Sequence, residues 1–127
     1  MLTMINKTAE FVHQKMSGEC TGHDWWHVRR VWNLARYIQE KEGGDSVVIE
    51  LAALLHDIED WKFTKEKNSN VGARVAYDWV KKINVDEERA LHIFDIIESI
   101  SFKGAGEKNK IKTLEGKIVQ DADRLDA

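Results

Sequence analysis

Apolar residues recur three and four positions apart along almost the whole chain, a spacing that predicts helices rather than strands. A first, weakly amphipathic helix is expected over 2–16. A stronger one is expected over 24–41, where Val28, Val31, Leu34, Ala35 and Ile38 share a face. Asp24 is suited to cap its start, and the Gly43-Gly44 pair to end it. From Ser46 to about Asp57 nearly every position is apolar, so this short helix, capped by Asp45, should be buried on most sides. Residues 59–66 read as a loop, and 68–82 as a helix carrying Val71, Val75, Trp79 and Val80. Asp86 caps a helix running to about Ile100. A loop containing Gly and Lys follows over 101–110, and a last helix starts near Thr113 and is still running at Ala127. The expected architecture is all-α, a bundle of about six helices forming a single domain over 1–127.

Composition agrees. The 127 residues include no Pro and only 8 Gly, which a helical chain tolerates easily because Pro breaks helix interiors. Nothing has the makeup of a disordered linker. The net charge of −3, from 19 basic and 22 acidic residues, gives no general attraction to polymeric nucleic acid or to anionic membranes. Any phosphate binding must be local. The single cysteine, Cys20, excludes an intrachain disulfide and fits a cytoplasmic location. Glu10, His13 and Lys15 interrupt the N-terminal stretch, which therefore does not read as a signal peptide. No run approaches the ~20 apolar residues that span a bilayer.

Four segments carry candidate chemistry. His27 precedes Val31 by four and Leu34 by seven, so it shares the apolar face of its helix and should point inward, as a core histidine or as a metal ligand. His56 continues the buried stripe of the most apolar helix, four residues after Ala52, and Asp57 follows it. A carboxylate buried there would need a cation or a hydrogen-bonding network; projecting into solvent at the helix end is the alternative. Asp121, Asp123 and Asp126 lie close together on the last helix. Asp123 reaches the buried side, four residues after Val119, and Asp121 and Asp126 stay open as alternatives. Beyond His56-Asp57, Glu59, Asp60 and Lys62 are either ordinary loop residues or a proton carrier and a phosphate contact. Two neutral imidazoles with two carboxylates suit a divalent ion such as Mn, Ni, Co, Fe, Mg or Zn. The lack of thiolates argues against a structural zinc site. Such an ion acidifies water and neutralises charge developing on a phosphoryl group, which suits phosphoester hydrolysis.

A His on one helix, a His-Asp pair ending a buried helix and a later Asp together resemble the signature of the HD-domain superfamily. The strings HDWWHVRRVW, AALLHDIEDWKF, VGARVAYDW, IIESISFKG and LEGKIVQDADRLDA are similar to small bacterial HD-domain hydrolases, some of which act on nucleotides. The resemblance covers essentially the whole chain. It implies an HD-domain helical bundle around one divalent metal held by His27, His56, Asp57 and Asp123. It also implies a metal-dependent phosphohydrolase acting on a nucleotide or related phosphoester. Asp60 is then the expected proton carrier, with Glu59 beside it. This Glu-Asp pair resembles that of the hydrolases that degrade the alarmone ppGpp, displaced by one residue. Arg30, Lys62, His23 and His92 are candidate substrate contacts; for Arg30 the alternatives are support of the metal ligands or a surface ion pair, and for His92 a place on the helix surface. His23-Asp24, a second His-Asp pair, precedes its helix instead of ending a buried one.

The expected partner is a small phosphorylated substrate, with no membrane and no polymeric nucleic acid; a homo-oligomer is compatible with five tryptophans in so short a chain. Relatives of this kind usually continue well beyond DADRLDA, so the sequence is expected to be truncated at its C-terminus. The competing readings are a catalytically inactive nucleotide-binding or regulatory HD module, and a helical interaction domain whose His and Asp residues are structural.

Overall fold

The computed structural model describes residues 3–17, 25–56, 71–101 and 113–126. Six helices and no strand occur among them: α1 (Met4–Ser17), α2 (Trp25–Glu42), α3 (Ser46–Leu55), α4 (Val71–Lys82), α5 (Glu87–Ser101) and α6 (Leu114–Asp126). The all-α expectation holds; the other helix ends move by a residue or two, while α4 is described from Val71 and its expected start near 68 lies outside the described residues. The expected cap at Asp24, the loop at 59–66 and all of the loop at 101–110 but Ser101 lie outside the described residues; Ser101 ends α5 instead.

The helix α3 is the centre. Val48, Ile49 and Leu51 to Leu55 are buried, with half-buried Glu50 among them, and α1, α2, α5 and α6 pack around them. A helix apolar on nearly every side can only be accommodated in this way. Its start is fixed by Asp45, whose side chain accepts from the Val47 and Val48 amides at 3.0 and 3.4 Å. This cap satisfies donors that the first turn leaves without helical partners. The preceding corner uses two glycines at positive φ, Gly43 at 89° and Gly44 at 97°, a conformation that L side chains adopt only under strain. A Cβ on Gly44 would also lie 3.2 Å from Ile49 Cδ1.

The corner is tied to the last helix. The Asp45 amide donates to Glu115 Oε2 at 2.9 Å, and Thr113 caps α6 by accepting from the Gly116 amide at 3.1 Å. The helix α6 runs from there across α2 and α3, burying Gly116, Ile118, Val119 and Ala122. Further round, α4 lies on α5. Trp79 of α4 stacks on Phe11 of α1 with 3.9 Å between ring centroids and donates to buried Thr8 at 2.8 Å. The consequence for the site is simple: the end of α3, the start of α2 and the end of α6 meet at one place.

Candidate metal centre

Each helix delivers one side chain to that meeting point. His27 sits in the first turns of α2, one turn before the fully buried Val31. His56 occupies the C-cap of α3, with φ −64° and ψ −24°, and is 4% exposed. Asp123 lies in the last turns of α6, next to buried Ala122. One donor atom from each falls within 4.8 Å of the others. The Nε2 atoms of His27 and His56 each lie 3.3 Å from Asp123 Oδ1, and the two rings are 5.5 Å apart at 62°.

The far side of each ring decides what the near side offers. His56 Nδ1 is 2.7 Å from the carbonyl oxygen of Ala53. A carbonyl can only accept, so Nδ1 carries the proton and donates. His27 Nδ1 is 2.7 Å from Asp126 Oδ2. The Arg30 guanidinium beside Asp126 holds its carboxyl below the usual carboxylate range, burial opposing and His27 assisting; Asp126 therefore accepts, and His27 Nδ1 donates. A neutral imidazole has one N–H and one lone pair, so in both rings the lone pair is at Nε2, facing Asp123. Asp123 is a carboxylate at neutral pH on its ordinary value of 3.8 alone, and hydrogen bonds from His27 and then His56, wherever their Nε2 atoms carry a proton, hold it lower still against burial. Two nitrogen lone pairs and an anionic oxygen thus converge on one point, an arrangement that calls for a positive charge among them. Bonds of about 2.1 Å to a cation put neighbouring ligands roughly 3.0 to 3.4 Å apart in octahedral or tetrahedral geometry. The observed 3.3 Å separations fit that range, and the N/O donor set suits a divalent metal.

Not every expected residue can be followed to this point. Asp57, the fourth expected ligand, lies outside the described residues, as do His23, Glu59, Asp60 and Lys62. Arg30 is described, and its Nε donates to Asp126 Oδ1 at 2.7 Å; it supports the cluster through Asp126. His92 is not brought to the cluster. Its Nε2 is 3.0 Å from Thr113 Oγ1 and 3.9 Å from Glu115 Oε1, at the start of α6. Asp123 is near the other end, roughly 15 Å away at the helical rise per residue. His92 borders instead a cleft of about 300 Å³ lined with Asp45, Val48, Asp86, Glu88 and Arg89. Among the alternatives for Asp123, Asp121 is exposed, and Asp126 faces the outer nitrogen of His27, not the cluster centre.

The partnership of Asp126 with His27 and Arg30 was not anticipated, although its signal is present. Asp123 and Asp126 are three apart on one helix, and His27 and Arg30 are three apart on another. Each pair therefore shares a face. Which face meets which is set by the packing of α6 on α2.

Known proteins carry the same arrangement of helices. The family described as HD domain matches residues 25–127. An uncharacterised Bacillus subtilis protein, YpgQ, is 42% identical over 127 residues, covering 99% of this chain and 61% of its own length. The chain thus spans about three fifths of that relative. A crystal structure of an HD-superfamily hydrolase from Bacillus thuringiensis superimposes with a TM-score of 0.75 at 38% identity, over 96% of this chain and 56% of the other. The crystal structure of Bacillus subtilis YpgQ in complex with ADP superimposes with a TM-score of 0.73 at 35% identity, over 97% and 60%. With a family match over most of its length and a histidine–aspartate cluster where three helices meet, this chain belongs to the HD-domain family.

Proposed function

We propose that His27, His56 and Asp123, joined by Asp57, hold one divalent cation, and that the protein hydrolyses a phosphoester bond of a nucleotide. The observation that carries this reading is the forced tautomer of both histidines, which turns their Nε2 lone pairs onto the Asp123 carboxylate. Asp57 directly follows His56 in the chain, and with Asp123 it would balance the two positive charges of the ion. When bound, the ion supplies a Lewis acid for a phosphoryl oxygen and for the attacking water. The protein's own part is to keep three donors in fixed positions without rearrangement. Asp60, with Glu59 as the neighbouring candidate, takes the proton from water, and Lys62 and His23 contact phosphate. A nucleotide substrate is supported by the ADP bound to the Bacillus subtilis relative. Arg30 acts through Asp126, and His92 belongs to the opposite end of α6, so neither is given a substrate contact.

The test is a metal analysis joined to a panel of nucleotides. Purified protein loaded with Mn²⁺ is expected to hold one ion per chain and to release phosphate or pyrophosphate from at least one nucleotide. His56→Ala should lose both while keeping its helical content. Unchanged metal stoichiometry in His56→Ala would remove the assignment. Ion and nucleotide bound with no turnover of any nucleotide would favour an inactive nucleotide-binding or regulatory module.

A further inference from the structure

We propose that Asp126 is a positioning residue that holds His27 in the tautomer and orientation required at the metal centre, with Arg30 in turn holding Asp126. The inference rests on the cation reading above and extends it to two side chains outside the expected ligand set. Both Asp126 oxygens are used: Oδ2 accepts from His27 Nδ1 and Oδ1 accepts from Arg30 Nε, each at 2.7 Å. Only 10% of the Asp126 side chain is exposed, and its bond to His27 is part-buried, while the Arg30 side chain is 57% exposed.

The location makes a merely incidental ion pair a poor explanation. Arg124 lies two residues before Asp126 on α6, yet the cation that meets Asp126 is Arg30 of α2. Both contacts of the carboxylate lead to α2. One lands on the back of a ring whose front faces Asp123. A carboxylate behind an imidazole fixes which nitrogen carries the proton, restrains ring rotation and raises the basicity of the opposite nitrogen.

The two histidines are supported differently. His56 uses the backbone carbonyl of Ala53, which comes with the helix and which no side-chain substitution removes. His27 is three residues into α2, and its support comes from the side chain of another helix. Asp126 therefore links the packing of α6 on α2 to the readiness of His27 to bind a cation, while Asp123 supplies a ligand from the same helix.

Two measurements on the 127-residue chain test this. Long-range ¹⁵N–¹H NMR of the metal-free protein reports the His27 tautomer. It is expected to be Nδ1–H in the wild type and a mixture with Nε2–H in Asp126→Ala. Calorimetric titration with Mn²⁺ is expected to show 10- to 100-fold weaker binding in Asp126→Ala, the usual range for loss of such a supporting carboxylate. Alanine favours helix, and circular dichroism checks folding; the isosteric Asp126→Asn, whose amide serves either tautomer, should move the NMR signature in the same direction. Asp121→Ala removes the same charge from the exposed side of the same helix and should change neither readout. An unchanged tautomer in both Asp126 variants, Mn²⁺ affinity within twofold of wild type, or an equal loss in Asp121→Ala would overturn the proposal. A wild type that takes up no Mn²⁺, yet shows the tautomer change in Asp126→Ala, would sink the cation reading while sustaining the hold of Asp126 on His27.

Discussion

Replacing Asp123 with Asn changes one atom in the middle of the cluster and should have opposite effects with and without metal. In the metal-free protein at pH 8.5, where imidazoles are ordinarily neutral, Asp123 Oδ1 sits 3.3 Å from two nitrogen lone pairs, an acceptor among acceptors. An Asn amide placed there donates one N–H to each ring. At these long distances two weak hydrogen bonds contribute about 1 kcal/mol in total. Unfolding entropy of roughly 2.1 cal/mol/K per residue amounts to about 270 cal/mol/K for a chain of this length. The metal-free Asp123→Asn protein should therefore melt about 4 °C above the wild type. Mn²⁺ reverses the order. At 100 times its dissociation constant a ligand that binds only the folded state stabilises by about 2.7 kcal/mol, or about 10 °C by the same conversion. The wild type should show that rise and Asp123→Asn should not, because an amide replaces the anionic ligand. Differential scanning calorimetry with and without Mn²⁺, with chelator in the metal-free arm, gives all four values. A variant that melts below the wild type without metal and still gains stability from Mn²⁺ would show that the two lone pairs do not converge on Asp123.

Other consequences concern the frame that holds the site. Asp45→Ala removes the α3 cap and should cost about 1 kcal/mol, within the usual range for such caps, measurable as a lower urea midpoint. Burial raises the Asp45 pKa, but the Arg89 hydrogen bond and the Val48 amide outweigh it, and the net shift is downward. Its ionised form therefore contributes stability that is present above the ordinary value of 3.8 and is lost as pH falls through the lower folded value. The difference between wild type and Asp45→Ala should accordingly shrink in urea melts below about pH 4. Leu54→Ala opens a cavity in the central helix, where Leu54 is fully buried, and should cost about 2 to 5 kcal/mol; a loss under 1 kcal/mol in chemical denaturation would contradict the central place of α3. Thr8→Val deprives the Trp79 indole N–H of its acceptor and should cost about 1 to 2 kcal/mol, read as a lower melting temperature without loss of helix content.

Much of the frame could be read from residue order alone, because it depends on local physics. Apolar spacing marks each helix, Asp45 and Asp86 mark their starts, and Gly43-Gly44 marks a stop that only residues tolerating positive φ can make. The run from Val47 to Leu55, apolar except at Glu50, requires a central helix, since no other position buries nearly every side. His27, His56 and Asp123 were legible as inward-facing polar residues on apolar stripes, a costly arrangement unless the three meet. What spacing along one helix cannot express is how two helices face each other. Asp126 looked like a third aspartate in a charged run or an alternative ligand, Arg30 like a phosphate contact or a support of the ligands, and His92 like another site residue or one on the helix surface. The packing of α6 across α2 turned the first pair toward each other and the back of His27, and left His92 at the far end of α6. Helix identity and burial follow from neighbours a few residues apart. The pairing of Asp126 with His27, 99 positions away along the chain, follows only from side chains of separate helices filling one another's gaps, a property of the packed core as a whole.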